Sequence, residues 1–231
     1  MRSTQHPTEP PPEGPSWTAG EPVSFGGLSD RGTGYMAYSE RVGPSVLVLH
    51  DAYGMLPPVR LLVDRFVAEG FTALAVDLYG GRTADDESSA HALAAGLDTA
   101  DTMKRLIAAA EHLSSNWHPR LGIVGFSTGA SLATQLAREV DVDATVVYYG
   151  GGEDLEQSWA ERPLLGHFAR DDDFGPAVAA RAAIDALEDA EAFVYDAAHG
   201  FANSSLTGSY EPAAAELALE RTVEELRYQL S

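Results

Sequence analysis

The chain has 231 residues, 45% of them hydrophobic and 22% charged, which is enough to build one domain with a sizeable core. Its 35 acidic and 15 basic residues give a formal net charge of -20. Such a charge repels nucleic-acid phosphates and anionic lipid, so neither a nucleic acid nor a membrane is an expected partner. The chain contains no cysteine, which excludes disulfides, thiolate metal ligands and a thiol nucleophile.

The first 20 residues contain five prolines and lack the apolar run of a signal peptide. We predict a disordered proline-rich leader over residues 1–20 and a single domain over residues 21–231. No run in the sequence approaches the roughly 18 apolar residues of a membrane span. These features favour a cytoplasmic protein that is a monomer or a small homo-oligomer.

Short apolar runs alternate with helical patterns from about residue 34 onward. The runs predict strands at residues 46–49, 72–76, 121–126, 145–149, 164–168 and 193–195. Helical patterns lie at residues 59–69, on one face over 93–110, directly after residue 127, near 178–187 and over 219–230. Buried strands that alternate with helices predict an α/β fold, with a mostly parallel central sheet and helices on both faces. Ligands of such sheets bind at the carboxyl ends of the strands.

One strand ends in the sequence Gly125-Phe126-Ser127-Thr128-Gly129, which is a G-x-S-x-G motif followed by a helical pattern. A direct strand-to-helix turn holds the serine in a strained conformation and lifts its hydroxyl above the sheet, and the glycines allow neighbouring backbones to approach. The N-terminus of the following helix favours a developing oxyanion. The alternative is a serine that merely caps the helix. We predict that Ser127 is a nucleophile.

A serine nucleophile needs a histidine base that a carboxylate orients, and in this fold the chain order is serine, acid, histidine. Two histidines follow Ser127. His167 lies inside an apolar strand, as a hydrogen-bonded core histidine would, whereas His199 follows the last strand in a loop of small residues, so we predict that His199 is the base. The acid comes from residues 171–173, three adjacent aspartates among which the motif alone does not choose.

The expected oxyanion hole uses two backbone N–H groups. One belongs to Thr128, directly after the nucleophile, and the other to Ala52, in the loop after the first apolar strand. No motif for a metal or another cofactor is evident, because the glycine run 150–152 lacks a phosphate-binding pattern and the histidines at 91 and 112 lack ligand spacing.

Taken in order, these segments resemble the dienelactone hydrolase family of α/β-hydrolases, from about residue 46 to the last helix. The matching segments are LHDAYG (49–54), VDLY (76–79), the motif around residue 127, YYG (148–150), GHF with DDFGP (166–176) and HGFAN (199–203). In that family the triad acid stands four residues before a proline, which implies Asp172, ahead of Pro176. The resemblance implies a compact α/β sandwich with a small cleft that accepts an ester or lactone.

Three departures from the family pattern matter. The name-giving enzymes use a cysteine nucleophile, where this chain has Ser127. They also carry a glutamate in the oxyanion loop, where this chain has the shorter Asp51. Asp51 is therefore either a supporting residue of the site or a structural hydrogen-bonding residue. Those enzymes also hold a substrate carboxylate with two arginines, whose positions correspond to Arg82 and Asn203 here. Losing one cation favours an uncharged ester or lactone.

Tyr53 and Phe201, from the matching motifs, join Asp51, Arg82 and Asn203 as the candidate substrate-binding residues. The predicted activity is hydrolysis of a small carboxylic ester or lactone through an acyl-enzyme on a serine. Two alternatives stay open: acyl transfer or cyclisation by the same triad, and a ligand-binding protein without turnover.

Overall fold

A computed structural model describes residues 20–38, 42–151, 163–174, 177–187 and 189–231. The predicted leader, up to residue 19, and Pro176 lie outside these ranges. The strands are β1 (Glu21–Phe25), β2 (Gly32–Ala37), β3 (Ser45–Leu49), β4 (Thr72–Val76), β5 (Leu121–Phe126), β6 (Ala144–Tyr148), β7 (Leu164–Asp171) and β8 (Ala190–Ala198). The helices are α1 (Pro57–Ala68), α2 (Glu87–Ala95), α3 (Thr99–Asn116), α4 (Thr128–Glu139), α5 (Ala177–Asp185) and α6 (Pro212–Gln229).

The eight strands form one sheet in the order β1-β2-β4-β3-β5-β6-β7-β8. The pairs β1–β2 and β2–β4 are antiparallel, and every later pair is parallel. Alternate residues of β3 enter two different hydrophobic clusters, one shared with α3 and α4 and the other with α1 and α6. Helices therefore cover both faces of the sheet, and the predicted fold class is confirmed.

Two parts of the fold differ from the prediction. The antiparallel strands β1 and β2 were not predicted, because β1 pairs with one neighbour only and is mostly exposed, so it carries no continuous apolar run. The helical face predicted over residues 93–110 is divided between α2 and α3. Gly96 ends α2, and the carboxylate of Asp98 accepts a hydrogen bond from the N–H of Asp101 and caps α3. Within the described ranges, no helix is both long and apolar enough to cross a bilayer.

Candidate active site

Ser127 occupies a strained turn between β5 and α4. Its φ is 49° and its ψ is -115°, which is a rare conformation for a residue with a side chain. Two backbone hydrogen bonds hold the turn in place. The N–H of Ser127 donates to the carbonyl of Tyr148 at 2.9 Å, and the N–H of Ala130 donates to the carbonyl of Ser127 at 2.8 Å. The strain is therefore held by the hydrogen bonds of the adjacent strand and helix.

The glycines of the motif are required by close packing. A Cβ atom at Gly125 would collide with the carbonyl of Gly129, and one at Gly129 would collide with the carbonyl of Leu49 at the end of β3. The first turn of α4 therefore lies directly against the carboxyl end of β3. This approach brings the nucleophile candidate next to the loop that follows β3.

The three predicted triad residues meet at the carboxyl edge of the sheet. Ser127 Oγ lies 2.9 Å from His199 Nε2, and His199 Nδ1 lies 3.0 Å and 2.9 Å from the two carboxylate oxygens of Asp172. With the proton on Nδ1, the imidazole donates to the carboxylate and Nε2 accepts from the serine hydroxyl. The His199 ring also packs between two aromatic rings, with centroid distances of 4.6 Å to Phe174 and 4.9 Å to Tyr149.

The structure distinguishes among the three adjacent aspartates. Asp171 and Asp173 are exposed, whereas the side chain of Asp172 is 7% exposed and faces His199. A register shift between β7 and β8 at Ala169 and Asp171 turns the chain at this point. The Asp172 carboxylate also accepts a hydrogen bond from the N–H of Phe174 at 2.9 Å, which fixes its orientation.

The two predicted backbone donors come from two elements, because Ala52 lies in the loop after β3 and Thr128 is the first residue of α4. Within the described ranges, the N–H groups of Ala52 and Thr128 make no hydrogen bond, and both residues line the cleft that contains Ser127. The neighbouring Asp51 side chain holds this loop in shape, because it accepts from the N–H of Tyr53 at 2.9 Å and from the amide of Asn203 at 2.8 Å. Burial raises the pKa of the Asp51 carboxyl.

Sequence comparison identifies the family that this arrangement belongs to. The model of the dienelactone hydrolase family matches residues 33–230, which is most of the chain. The chain belongs to the dienelactone hydrolase family. The family match includes Ser127, His199 and all three aspartates at 171–173.

Individual relatives agree with the family match. A protein of Aquifex aeolicus is 30% identical over 142 residues, which are 57% of this chain and 62% of that relative. A carboxymethylenebutenolidase of a Pseudomonas species is 29% identical over 202 residues, which are 80% of this chain and 84% of that protein. Among solved structures, a dienelactone hydrolase-like promiscuous phosphotriesterase from metagenomic libraries has a TM-score of 0.77 at 22% identity, with 92% of this chain and 98% of that chain covered.

The cleft of this dienelactone hydrolase family member has a volume of about 880 Å³ and is acidic. Five carboxylates and no lysine or arginine are among its described lining residues; the carboxylates are Asp51, Glu87, Asp171, Asp172 and Asp173. Tyr53 also lines the cleft, as expected. The lining residues that the sequence did not indicate as part of the site include Glu87, His91 and Phe174. The spacing of Glu87 and His91, one helical turn apart on α2, was the available signal.

Three of the five candidate substrate-binding residues do not reach the cleft. Arg82 follows two glycines with positive φ, Gly80 and Gly81, and its exposed side chain donates to the carbonyl of Tyr79 at 3.2 Å. Phe201 is fully buried and packs against the rings of Tyr149 and Tyr195. Neither residue lines the cleft, in contrast to the sequence-based expectation.

Asn203 is the third of these residues. Its amide group donates to Asp51, and its carbonyl accepts from the N–H of Ser205 at 3.0 Å. Both ends of the side chain are thus used to connect two loops, and Asn203 lines a different cavity from the one that contains Ser127.

His167 lies in the core, as its position in an apolar strand predicts. Its Nδ1 accepts from the hydroxyl of Tyr195 at 2.8 Å, and its Nε2 donates to Thr222 Oγ1 at 3.0 Å. Thr222 in turn donates to the carbonyl of Ala218, and Arg221 donates to the Tyr195 hydroxyl. Burial, helped by the Arg221 charge, lowers the pKa of His167 to about 3, so the ring stays neutral.

Among the residues that the structure describes, no group of three or more histidine, aspartate or glutamate side chains has the arrangement of a metal site.

Proposed function

We propose that this protein hydrolyses a small, uncharged carboxylic ester or lactone through an acyl-enzyme on Ser127. The observation that carries the proposal is the continuous hydrogen-bonded series from Ser127 Oγ through His199 to Asp172, at 2.9–3.0 Å. A hydroxyl is a weak nucleophile by itself, and this series gives it a base within proton-transfer distance. The family relatives that are carboxymethylenebutenolidases support the same reaction class.

In the acylation step, Ser127 Oγ attacks the substrate carbonyl carbon while its proton passes to His199 Nε2. The carbonyl oxygen becomes an oxyanion that accepts hydrogen bonds from the N–H groups of Ala52 and Thr128. Asp172 stabilises the imidazolium that forms and stays ionised. The intermediate collapses, the bond to the alcohol oxygen breaks, and the imidazolium donates its proton to that oxygen. In a lactone the alcohol stays attached to the acyl group.

In the deacylation step, water takes the position of the alcohol. His199 Nε2 accepts a proton from the water as its oxygen attacks the acyl carbon, and a second oxyanion forms between the same two donors. The C–O bond to Ser127 then breaks, His199 returns the proton to Ser127 Oγ, and the carboxylic acid leaves. The open, acidic cleft supports release of this product, because its carboxylates repel the anion that the acid becomes.

The charge of the cleft supports an uncharged substrate. A dianionic or monoanionic lactone would have to approach five carboxylates without a cation from the described lining residues. The family arginine that the sequence retains, Arg82, is exposed and does not line the cleft. Esters and lactones without a carboxylate avoid this repulsion.

The test is active-site labelling. A fluorophosphonate should form a covalent adduct on Ser127, mapped by mass spectrometry, and the labelled protein should lose activity on a p-nitrophenyl ester. Ser127→Ala should lower kcat by roughly 10⁶-fold. Ser131→Ala is the matched control, since Ser131 lines the same cleft from the first turns of α4. A folded protein whose Ser127 stays unlabelled, or a Ser127→Ala variant with unchanged turnover, would refute the proposal.

A further inference from the structure

His50 is a buried histidine beside the proposed oxyanion hole. It directly follows β3, and its side chain is fully buried. Its ring packs edge-on against the ring of Tyr79, with the two centroids 5.0 Å apart. The carbonyl oxygen of His50 lies against Gly129, where a Cβ atom would collide with it. The residue is therefore held between the loop that follows β4 and the first turn of α4.

Two hydrogen bonds determine where the proton of this imidazole lies. The N–H of Leu78, in the loop that follows β4, donates to His50 Nε2 at 3.1 Å, so Nε2 carries no proton. The proton of a neutral ring is then on Nδ1, which donates to the carbonyl oxygen of Asp51 at 2.7 Å. Burial lowers the pKa of His50, which keeps the ring neutral. The ring therefore connects the loop after β3 to the loop after β4.

The carbonyl of Asp51 belongs to the same peptide group as the N–H of Ala52, which is one of the two expected oxyanion donors. A trans peptide group is planar, and its C=O and N–H bonds point in opposite directions. The hydrogen bond that holds the carbonyl oxygen on His50 Nδ1 therefore also fixes the direction of the Ala52 N–H. A rotation of this peptide group that turned the N–H away from the substrate would break the hydrogen bond to His50.

The other hydrogen bonds of this loop do not replace the one from His50. The N–H of Gly54 also donates to the carbonyl of Asp51, at 3.2 Å, but Gly54 lies in the same loop and moves with it. The carboxylate of Asp51 accepts from the N–H of Tyr53, which belongs to the next peptide group. Within the described ranges, the His50 ring is what connects the Asp51–Ala52 peptide group to the loop after β4.

We propose that His50 is a positioning residue, which aims the N–H of Ala52 at the oxyanion; this role rests on the hydrolysis proposed above. His50 does not line the cleft, so it acts through the peptide group and not on the substrate. A hydrogen bond to the oxyanion is stronger in the transition state than in the bound ester, so a misdirected donor lowers kcat more than it changes KM. Complete removal of one oxyanion donor costs about 10²–10³ in rate, which is the upper limit of the effect.

Two substitutions separate the two hydrogen bonds of the ring. In His50→Asn, the amide nitrogen takes the place of Nδ1 and donates to the Asp51 carbonyl, while the Leu78 N–H loses its acceptor. In His50→Gln, the amide oxygen takes the place of Nε2 and accepts from Leu78, while the Asp51 carbonyl loses its donor. Each variant gives up one buried hydrogen bond, so both should show a similar decrease in the urea midpoint.

The activities of the two variants should differ although their stabilities are similar. On a p-nitrophenyl ester, His50→Asn should keep kcat within about threefold of the wild type, whereas His50→Gln should lower kcat by about 10–100-fold and change KM less than about threefold. His167→Gln is the control for destabilisation alone, because that buried ring does not line the cleft. It should lower the urea midpoint and leave kcat unchanged.

An inhibitor reports on the oxyanion hole directly. A trifluoromethyl ketone forms a tetrahedral adduct with a serine nucleophile, and the oxygen of this adduct takes the place of the oxyanion. Its inhibition constant should rise in His50→Gln by about the factor by which kcat falls, and it should stay near the wild-type value in His50→Asn and in His167→Gln.

The position of the proton is measured in the wild type, so this part of the test does not depend on the folding of a variant. Nitrogen NMR of the His50 ring at pH 7 should show a protonated Nδ1 and an unprotonated Nε2. A proton on Nε2, or equal kcat values in folded His50→Asn and His50→Gln, would overturn the role of His50 and leave the hydrolysis intact. A wild-type protein that neither cleaves esters nor reacts with a fluorophosphonate at Ser127 would overturn both.

Discussion

The neutral His167 ring predicts a specific dependence of stability on pH. The pKa of His167 is about 3 in the folded protein, against 6.5 for an ordinary histidine. At pH 5 the unfolded chain therefore binds a proton at this residue that the folded protein does not bind, so stability falls as pH drops below 6.5 and continues to fall until about pH 3. Between pH 7 and pH 5 the loss is about 2 kcal/mol. Over that interval the loss hardly changes if the folded pKa is one unit higher.

His167→Gln removes the titration and keeps an amide that can donate to Thr222. Urea unfolding at pH 7 and at pH 5 gives the free energy of unfolding for each protein. The variant should be less stable at pH 7, by about 1–3 kcal/mol, because the hydrogen bond from Tyr195 to the ring is lost. It should also lose about 2 kcal/mol less than the wild type on going to pH 5. Equal losses in the two proteins would refute the assignment of a neutral, buried His167.

Three further predictions concern the cleft and its surroundings. Asp172→Asn should lower kcat by about 10⁴-fold, whereas Asp171→Asn, at an exposed position, should change kcat less than about threefold. Steady-state kinetics on one ester compares the two variants. Equal effects on kcat would contradict the assignment of Asp172 as the residue that orients His199. Arg82→Ala should leave kcat/KM unchanged for esters with and without a carboxylate, and selective loss on the carboxylate esters would show that Arg82 reaches the substrate. Asp51→Asn should destabilise by about 1–3 kcal/mol in urea unfolding, because two amide donors then face each other. Adding Asn203→Asp to this variant should recover most of the lost free energy of unfolding, because every hydrogen bond can be rebuilt with the carboxylate on the other loop. If the double variant shows no recovery, the negative charge is needed at residue 51 itself.

The parallel part of the sheet and the proposed triad were accessible from the sequence because each depends on short-range signals. Strands β4 and β5 match their apolar runs at both ends, since a strand buried on two faces is apolar throughout. Ser127 and His199 stand directly after strands, so the carboxyl edge of a parallel sheet brings them together.

Other features depend on tertiary contacts that no local pattern encodes. The motif did not distinguish among the three adjacent aspartates, because neither the β7–β8 register shift beside them nor the contact between Asp172 and His199 is encoded in a local pattern. The segment at 199–203, which resembles a family motif, suggested that Phe201 binds substrate. A large apolar ring next to a strand end can instead fill the core, and Phe201 does so here.

The charge preference that we propose for the cleft depends in part on a loop outside the triad, which keeps Arg82 from lining the cleft. Gly80 and Gly81 both have positive φ, a conformation that glycine adopts without the steric cost of a side chain, and together they reverse the chain before Arg82. The loop is then fixed against the β3–α1 loop, because Ala84 N–H donates to the carbonyl of Tyr53 at 3.0 Å. Arg82 is thereby held outside the cleft while the donors beside Ser127 keep their positions. The loop that excludes Arg82 from the cleft is therefore connected to the loop that carries the Ala52 donor, so a change in the first should also affect the geometry of the second.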